Sequence, residues 1–244
     1  EIDSSRMPLW QHLDDLRSCL VRSLIAVLIV TLITYQFADK ILYFLEKPIL
    51  DALPEGSRKL YFTGVTDKFM VYLKAAIYSA TFISAPYLLF ELYRFIAPGL
   101  YKQERKMVVP FVFIGTFFFI AGGLFSYIMV IPYAYQFLVN FGGSSEIPLI
   151  TLGEYFKLTL QLILLMGIVF ELPVILMLLA KFGVIDHHIL KKIRPQAYMA
   201  LSVISAIITP TPDAFTMILV LVPLCLLYEL SYWLVRWSTG SASN

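Results

Sequence analysis

The chain has 244 residues, of which 59% are hydrophobic and 15% charged, and its formal net charge is +2. That balance argues against a soluble domain, offers no charge excess for nucleic acid, and reads as a membrane protein. Its two cysteines, Cys19 and Cys225, both lie in apolar context, so neither a disulfide framework nor a metal site is expected. Residues 1–6 precede Met7 without a hydrophobic region or cleavage motif; they read as an expression remnant rather than a secretory signal.

Six apolar spans follow within a single membrane domain. The first runs from Leu20 to Tyr35, preceded by the amphipathic "MPLWQHLDDLRSCL", with Arg22 near enough to its start to snorkel into headgroups. Residues 37–67 form a first external loop, in which Pro48 and Pro54 are expected to prevent a continuous helix. The second span, Phe69 to Ala97, carries Glu91 and Arg94 near its end and Pro86 in its body, where a bend is expected. The third, Val108 to Leu138, contains Gly115, Gly122 and Gly123, which permit close helix approach. After a second external loop over 140–153, whose "TLGE" has capping-box spacing, the fourth runs from Leu158 to Ala180. The last two, Tyr198 to Thr209 and Ala214 to Tyr228, are short for a bilayer and flank "TPTPD", where Asp213 is placed to cap the helix that follows. An even number of spans puts both termini on one side. A cytoplasmic N-terminus gives that face Arg6, Arg17, Arg22, Arg94, the Lys102–Lys106 cluster and most later basic residues, so the positive-inside rule predicts both termini cytoplasmic.

Glu171, in "VFELPV", lies near the middle of the fourth span. A carboxylate there costs roughly 2.5 kcal/mol or more on insertion scales and marks function by default; the alternative is a protonated, hydrogen-bonded structural glutamate. Catalysis has little to work with. There is no Gly-rich phosphate loop and no His-Glu-x-x-His, and the apolar serines have no intramembrane base, so no enzyme and no cofactor are expected. Asp14, Asp15 and Glu104 stand among basic residues on the predicted cytoplasmic face, a pattern that by itself describes solvated ion pairs.

"HLDDLR", "FIAPGLYKQERK", "FELP" and "TPTPD", in this order and spacing over nearly the whole chain, resemble the twin-arginine translocase C subunit family, TatC. The resemblance implies a glove-like six-helix bundle in the bacterial cytoplasmic membrane. It would serve as the signal-peptide receptor and core subunit for proton-motive-force-driven export of folded proteins with TatA and TatB, in an oligomeric complex. By position, the recognition carboxylates fall on Glu104 and Asp15. Asp15 stands where a glutamate is usual, so either Asp14 shares the contact or the backbone sits closer. Arg17 and Phe95 fall in the same receptor region, Glu171 on the family's intramembrane glutamate, Asp213 on the aspartate of the last turn, and Pro48 and Pro86 on shape-setting prolines. Met217 is apolar where some relatives carry glutamine. Two rival readings remain at this stage: a secondary transporter or proton channel with Glu171 as relay, and a structural scaffold.

Overall fold

The computed structural model describes residues 9–53, 58–96, 108–141, 149–209 and 213–240. Its regular structure is helical: α1 (Leu9–Tyr35), α2 (Ala38–Ala52), α3 (Asp67–Ile96), α4 (Val108–Phe125), α5 (Ile131–Asn140), α6 (Leu152–Phe170), α7 (Leu172–Lys181), α8 (His187–Lys192), α9 (Arg194–Ile208) and α10 (Ala214–Gly240). Among the described residues, five stretches are long and apolar enough to cross a membrane: Leu13–Tyr35, Asp67–Phe95, Val109–Asn140, Leu152–Lys181 and Ala214–Trp237.

No Gly or Pro interrupts residues 9–35, so the described part of the amphipathic N-terminal stretch and the first span form one helix. It packs along α3. Near one end of this contact the Thr34 hydroxyl donates to the Ala76 carbonyl at 2.9 Å. On α3, Ala76, Ala80 and Ser84 are all buried at four-residue spacing, a ridge of small side chains that lets membrane helices approach.

Pro48 does not break the external segment, contrary to expectation: α2 runs through it. A proline in a helix leaves the carbonyl four residues earlier without its donor. That carbonyl belongs to Phe44, and the Tyr127 hydroxyl donates to it at 2.6 Å while the two rings stack with centroids 4.5 Å apart. Next to it, the Tyr155 hydroxyl donates to the Leu45 carbonyl at 2.5 Å. Two tyrosines from the bundle thus hold the external helix by its backbone. Tyr127→Phe should cost about 1 kcal/mol in detergent unfolding. The cost should shrink in a Pro48→Ala background, where residue 48 supplies the helical donor.

Glu46, on the same helix, is half-buried, and desolvation raises its carboxyl above the ordinary value of about 4.5. The folded state therefore holds this proton more tightly than the unfolded chain, and the stability it contributes is present in acid and lost as pH rises through the raised value. Glu46→Gln should accordingly raise the thermal midpoint at pH 8, with the gain vanishing below pH 4.5; an equal gain at both pH values would rule this out. The segments preceding α3 and α6 join at a bridge, where Tyr61 N–H donates to Ile150 O at 3.1 Å and Leu152 N–H to Tyr61 O at 2.6 Å.

The third span is not a uniform helix. Residues Ser126–Val130 form a π-helical turn between α4 and α5, immediately before Pro132. Such a wide turn accommodates the missing donor and the ring of the proline. The fourth span is likewise divided, at Glu171, because Pro173 cannot donate to Val169; the Glu171 N–H bonds Ile168 O at 3.1 Å instead. At its start Thr151 accepts from the Glu154 N–H at 3.4 Å, one half of the expected capping box.

Asp213 caps α10 as expected, accepting from the Thr216 N–H at 2.6 Å and from its hydroxyl at 2.7 Å. Pro210, Thr211 and Pro212, like Pro54, lie outside the described residues. Of the final pair, α9 is short, 15 residues or roughly 22 Å. The last helix extends well past the expected end at Tyr228, to Gly240. It continues because Glu229 is neutralised from α9: Arg194 donates to it at 2.9 Å and the Tyr198 hydroxyl at 2.5 Å. A carboxylate that ends the apolar run therefore need not end the helix.

Candidate functional site

Near the N-terminal end of α1 and the C-terminal end of α3 lies a polar cavity of about 190 Å³, lined by Asp15, Ser18, Cys19, Arg22, Arg94 and Phe95. Asp15, Ser18, Cys19 and Arg22 recur at three- and four-residue spacing, so one face of α1 supplies all four. Beneath them sits Glu91, whose side chain is only 2% exposed. Arg22 directs two nitrogens at Glu91 Oε2, Nε at 3.0 Å and a terminal nitrogen at 2.9 Å. The Tyr87 hydroxyl donates to Oε1 at 3.2 Å, and Arg94 approaches the same oxygen at 3.7 Å. The Cys19 thiol closes the cluster on the Glu91 carbonyl at 3.4 Å.

Arg22 is thus not a headgroup-snorkelling residue but the counter-charge of a buried carboxylate. Burying Glu91 without a cation would be prohibitive, and α1 provides one at the level where α3 needs it. The electrostatic result matters for the cavity. Two guanidinium groups on its wall would repel a cationic ligand, yet Glu91 offsets much of their charge and leaves the Asp15 carboxylate on the same wall. Asp14 and Arg17 are exposed and do not line this cavity. Glu104 lies outside the described residues.

Glu171 occupies a different place. It is 6% exposed, and neither of its carboxyl oxygens has a hydrogen-bond partner among the described residues. It borders an apolar cavity of about 440 Å³ between α3, α4, α6 and α7, together with residues such as Leu89, Tyr93, Phe119 and Leu178. Gly115 makes room for it: a Cβ at that position would lie 3.0 Å from Glu171 Oε2 and 3.2 Å from Leu89 Cδ1. The expectation of a hydrogen-bonded structural glutamate is therefore not met by any described protein group.

The family model described as Sec-independent protein translocase protein (TatC) matches residues 11–223. The chain belongs to the TatC family. It is 36% identical over 229 residues to the Sec-independent protein translocase protein TatC of Desulforapulum autotrophicum, covering 94% of this chain and 84% of that protein. The TatC of Aquifex aeolicus is 35% identical over 235 residues, 96% of each chain. The fold agrees: a crystal structure of the twin arginine translocase receptor TatC superposes with a TM-score of 0.81 at 34% identity, covering 93% of this chain and 99% of that one. A second, in DDM, gives 0.82. As a TatC family member the chain is a Sec-independent protein translocase component and a multi-pass membrane protein.

Set on this TatC fold, the residues singled out from sequence fall into three places. Asp15 and Phe95 share the polar cavity, Glu171 borders the apolar one, Asp213 caps α10, and Pro48 and Pro86 lie within α2 and α3. Missed from sequence was Glu91. A signal was available: it is an acid flanked by apolar residues in "LLFELYRF", with Tyr87 four positions before it and Arg94 three after, on one helical face.

Proposed function

We propose that the chain is the receptor subunit that binds twin-arginine signal peptides at its cytoplasmic face and organises export of folded proteins. The observation that carries the reading is the polar cavity itself, whose wall both Asp15 and Phe95 share while Glu91 offsets the arginines around it. A peptide arginine presents a planar fork that a carboxylate accepts in two parallel hydrogen bonds, whereas lysine is a point charge; this favours Arg-Arg over Lys-Lys. Asp15 holds one guanidinium and Glu104, in the loop after α3, the other. Asp14 and Arg17 border the same surface and set its local charge, and Phe95 packs the peptide beside the arginines.

The basic-residue distribution supports an orientation with both termini in the cytoplasm, and with it a place in the bacterial cytoplasmic membrane. Glu171 supplies the polar spot within the bundle where the inserted signal hairpin finds water or a polar partner. TatB and TatA associate along α9 and α10, whose connection Asp213 holds, and the machine is driven by the proton-motive force. Pro48 and Pro86 set the shape of the external helix and of α3.

The test is binding of a labelled Arg-Arg signal peptide to the purified protein. Tight binding is expected to fall roughly tenfold or more with Lys-Lys, with Glu104→Ala and with Asp15→Ala, as loss of a charge-assisted hydrogen bond implies. Equal weak binding of both peptides, unaffected by either substitution, would remove the receptor reading and return Glu171 to consideration as a proton relay.

A further inference from the structure

We infer that the cavity at Glu171 is a binding site for an apolar small molecule carrying one hydrogen-bond donor, an aryl or alkyl alcohol or amine that enters from the bilayer. Three observations converge on this chemistry. The volume, about 440 Å³, falls within the range of small-molecule sites. Leu, Ile, Phe and Tyr side chains make up the rest of the wall, so the ligand's body must be apolar. Glu171, more than nine-tenths buried and without a hydrogen-bond partner at either oxygen among the described residues, supplies a single strong acceptor, which a ligand donor satisfies.

Access is lateral. Leu92, Ile168 and Ile175 line the cavity and are 47%, 51% and 48% exposed, so its mouth opens on the side of the bundle where lipid tails lie. A membrane-dissolved molecule reaches it without crossing the aqueous phase. The polar cavity at Asp15 draws on the same last turns of α3, which gives Leu92 and Tyr93 to one site and Arg94 and Phe95 to the other. The inference does not rest on the receptor reading, because binding here requires no peptide.

The test uses the full chain in phosphatidylcholine nanodiscs and a photoreactive benzyl alcohol bearing a diazirine, compared with the same molecule lacking the hydroxyl. Labelled peptides are mapped by mass spectrometry. The alcohol is expected to label segments 89–93 and 168–182 saturably, about fivefold above the lipid-facing Leu24–Leu32 of α1, and to do so more strongly than the hydrocarbon by roughly three- to tenfold, the value of one hydrogen bond. Ile175→Trp, which fills the mouth and leaves Glu171 in place, should abolish the enrichment. Glu171→Leu should erase the preference for the alcohol while the hydrocarbon still binds, and Glu171→Gln, which keeps an acceptor, should retain part of it. Non-saturable labelling equal to that of α1, or an alcohol preference unchanged in Glu171→Leu, overturns the assignment. Loss of Arg-Arg peptide binding with intact alcohol labelling would count against the receptor reading alone.

Discussion

Arg22→Leu is expected to lower the unfolding midpoint strongly, because it removes the half-exposed partner of an ion pair and leaves a buried carboxylate behind. Its partner Glu91 is 2% exposed and cannot reach water, and Arg94 at 3.7 Å together with the Tyr87 hydroxyl at 3.2 Å compensates only in part. The reverse change should be milder. Arg22 is 42% exposed, so in Glu91→Gln its guanidinium can turn to solvent and retain its hydration. The double substitution Arg22→Leu with Glu91→Leu should recover much of the loss, because no buried charge remains. Detergent unfolding midpoints read all three. If Arg22→Leu proved no worse than Glu91→Gln, the pair would be a surface ornament and not the lock between α1 and α3. Function should separate from stability here. Glu91→Gln leaves two uncompensated arginines at the Asp15 cavity and should weaken binding of a cationic peptide, more at low salt than at high salt.

Gly122→Ala should be the most damaging of the glycine substitutions, by about 2–3 kcal/mol, as expected for overpacking against atoms that cannot retreat. Its Cβ would lie 2.5 Å from the Met166 carbonyl oxygen and 2.8 Å from Phe170, so α4 and α6 would have to move apart. The rest of the series is graded by the same geometry. At Gly123 the obstacle is the Phe82 ring at 2.5 Å, a side chain with some freedom, and at Gly167 the nearest atoms are at 3.1 Å. A Cβ at Gly153 meets nothing within 4 Å, so Gly153→Ala should be neutral or stabilising by up to about 1 kcal/mol, the intrinsic helix preference. Unfolding of the four variants in one detergent would check the order; a uniform loss would mean that the helices adjust and that the contact between α4 and α6 is not tight.

The helices themselves were legible because a bilayer imposes a simple demand: backbone polar groups must pair internally, so apolar runs of sufficient length become helices. The family signature was legible because four short motifs occur in a fixed order. Less was legible wherever an interruption had to be interpreted. Pro48 is expected to break the helix, yet the carbonyl it orphans, that of Phe44, accepts from the Tyr127 hydroxyl 83 positions further along the chain. The apolar run stops at Tyr228, before Glu229, yet the helix continues because Arg194 and Tyr198 neutralise that carboxylate. Arg22 was read as a residue reaching for headgroups, yet its partner lies 69 positions away on α3.

These cases share a cause. Hydropathy, motif order and the candidacy of Asp15, Phe95 and Glu171 are properties of short segments, and the sequence by itself determined them: a polytopic helical membrane protein of the TatC family. Whether a buried polar group is paired depends on residues that only folding brings near. The tertiary structure alone decided that Glu91 is held by Arg22 and offsets the charge around Asp15, and that Glu171 has no hydrogen-bond partner among the described residues in its apolar cavity, because the desolvation of a charge is a local cost and its compensation is a long-range contact.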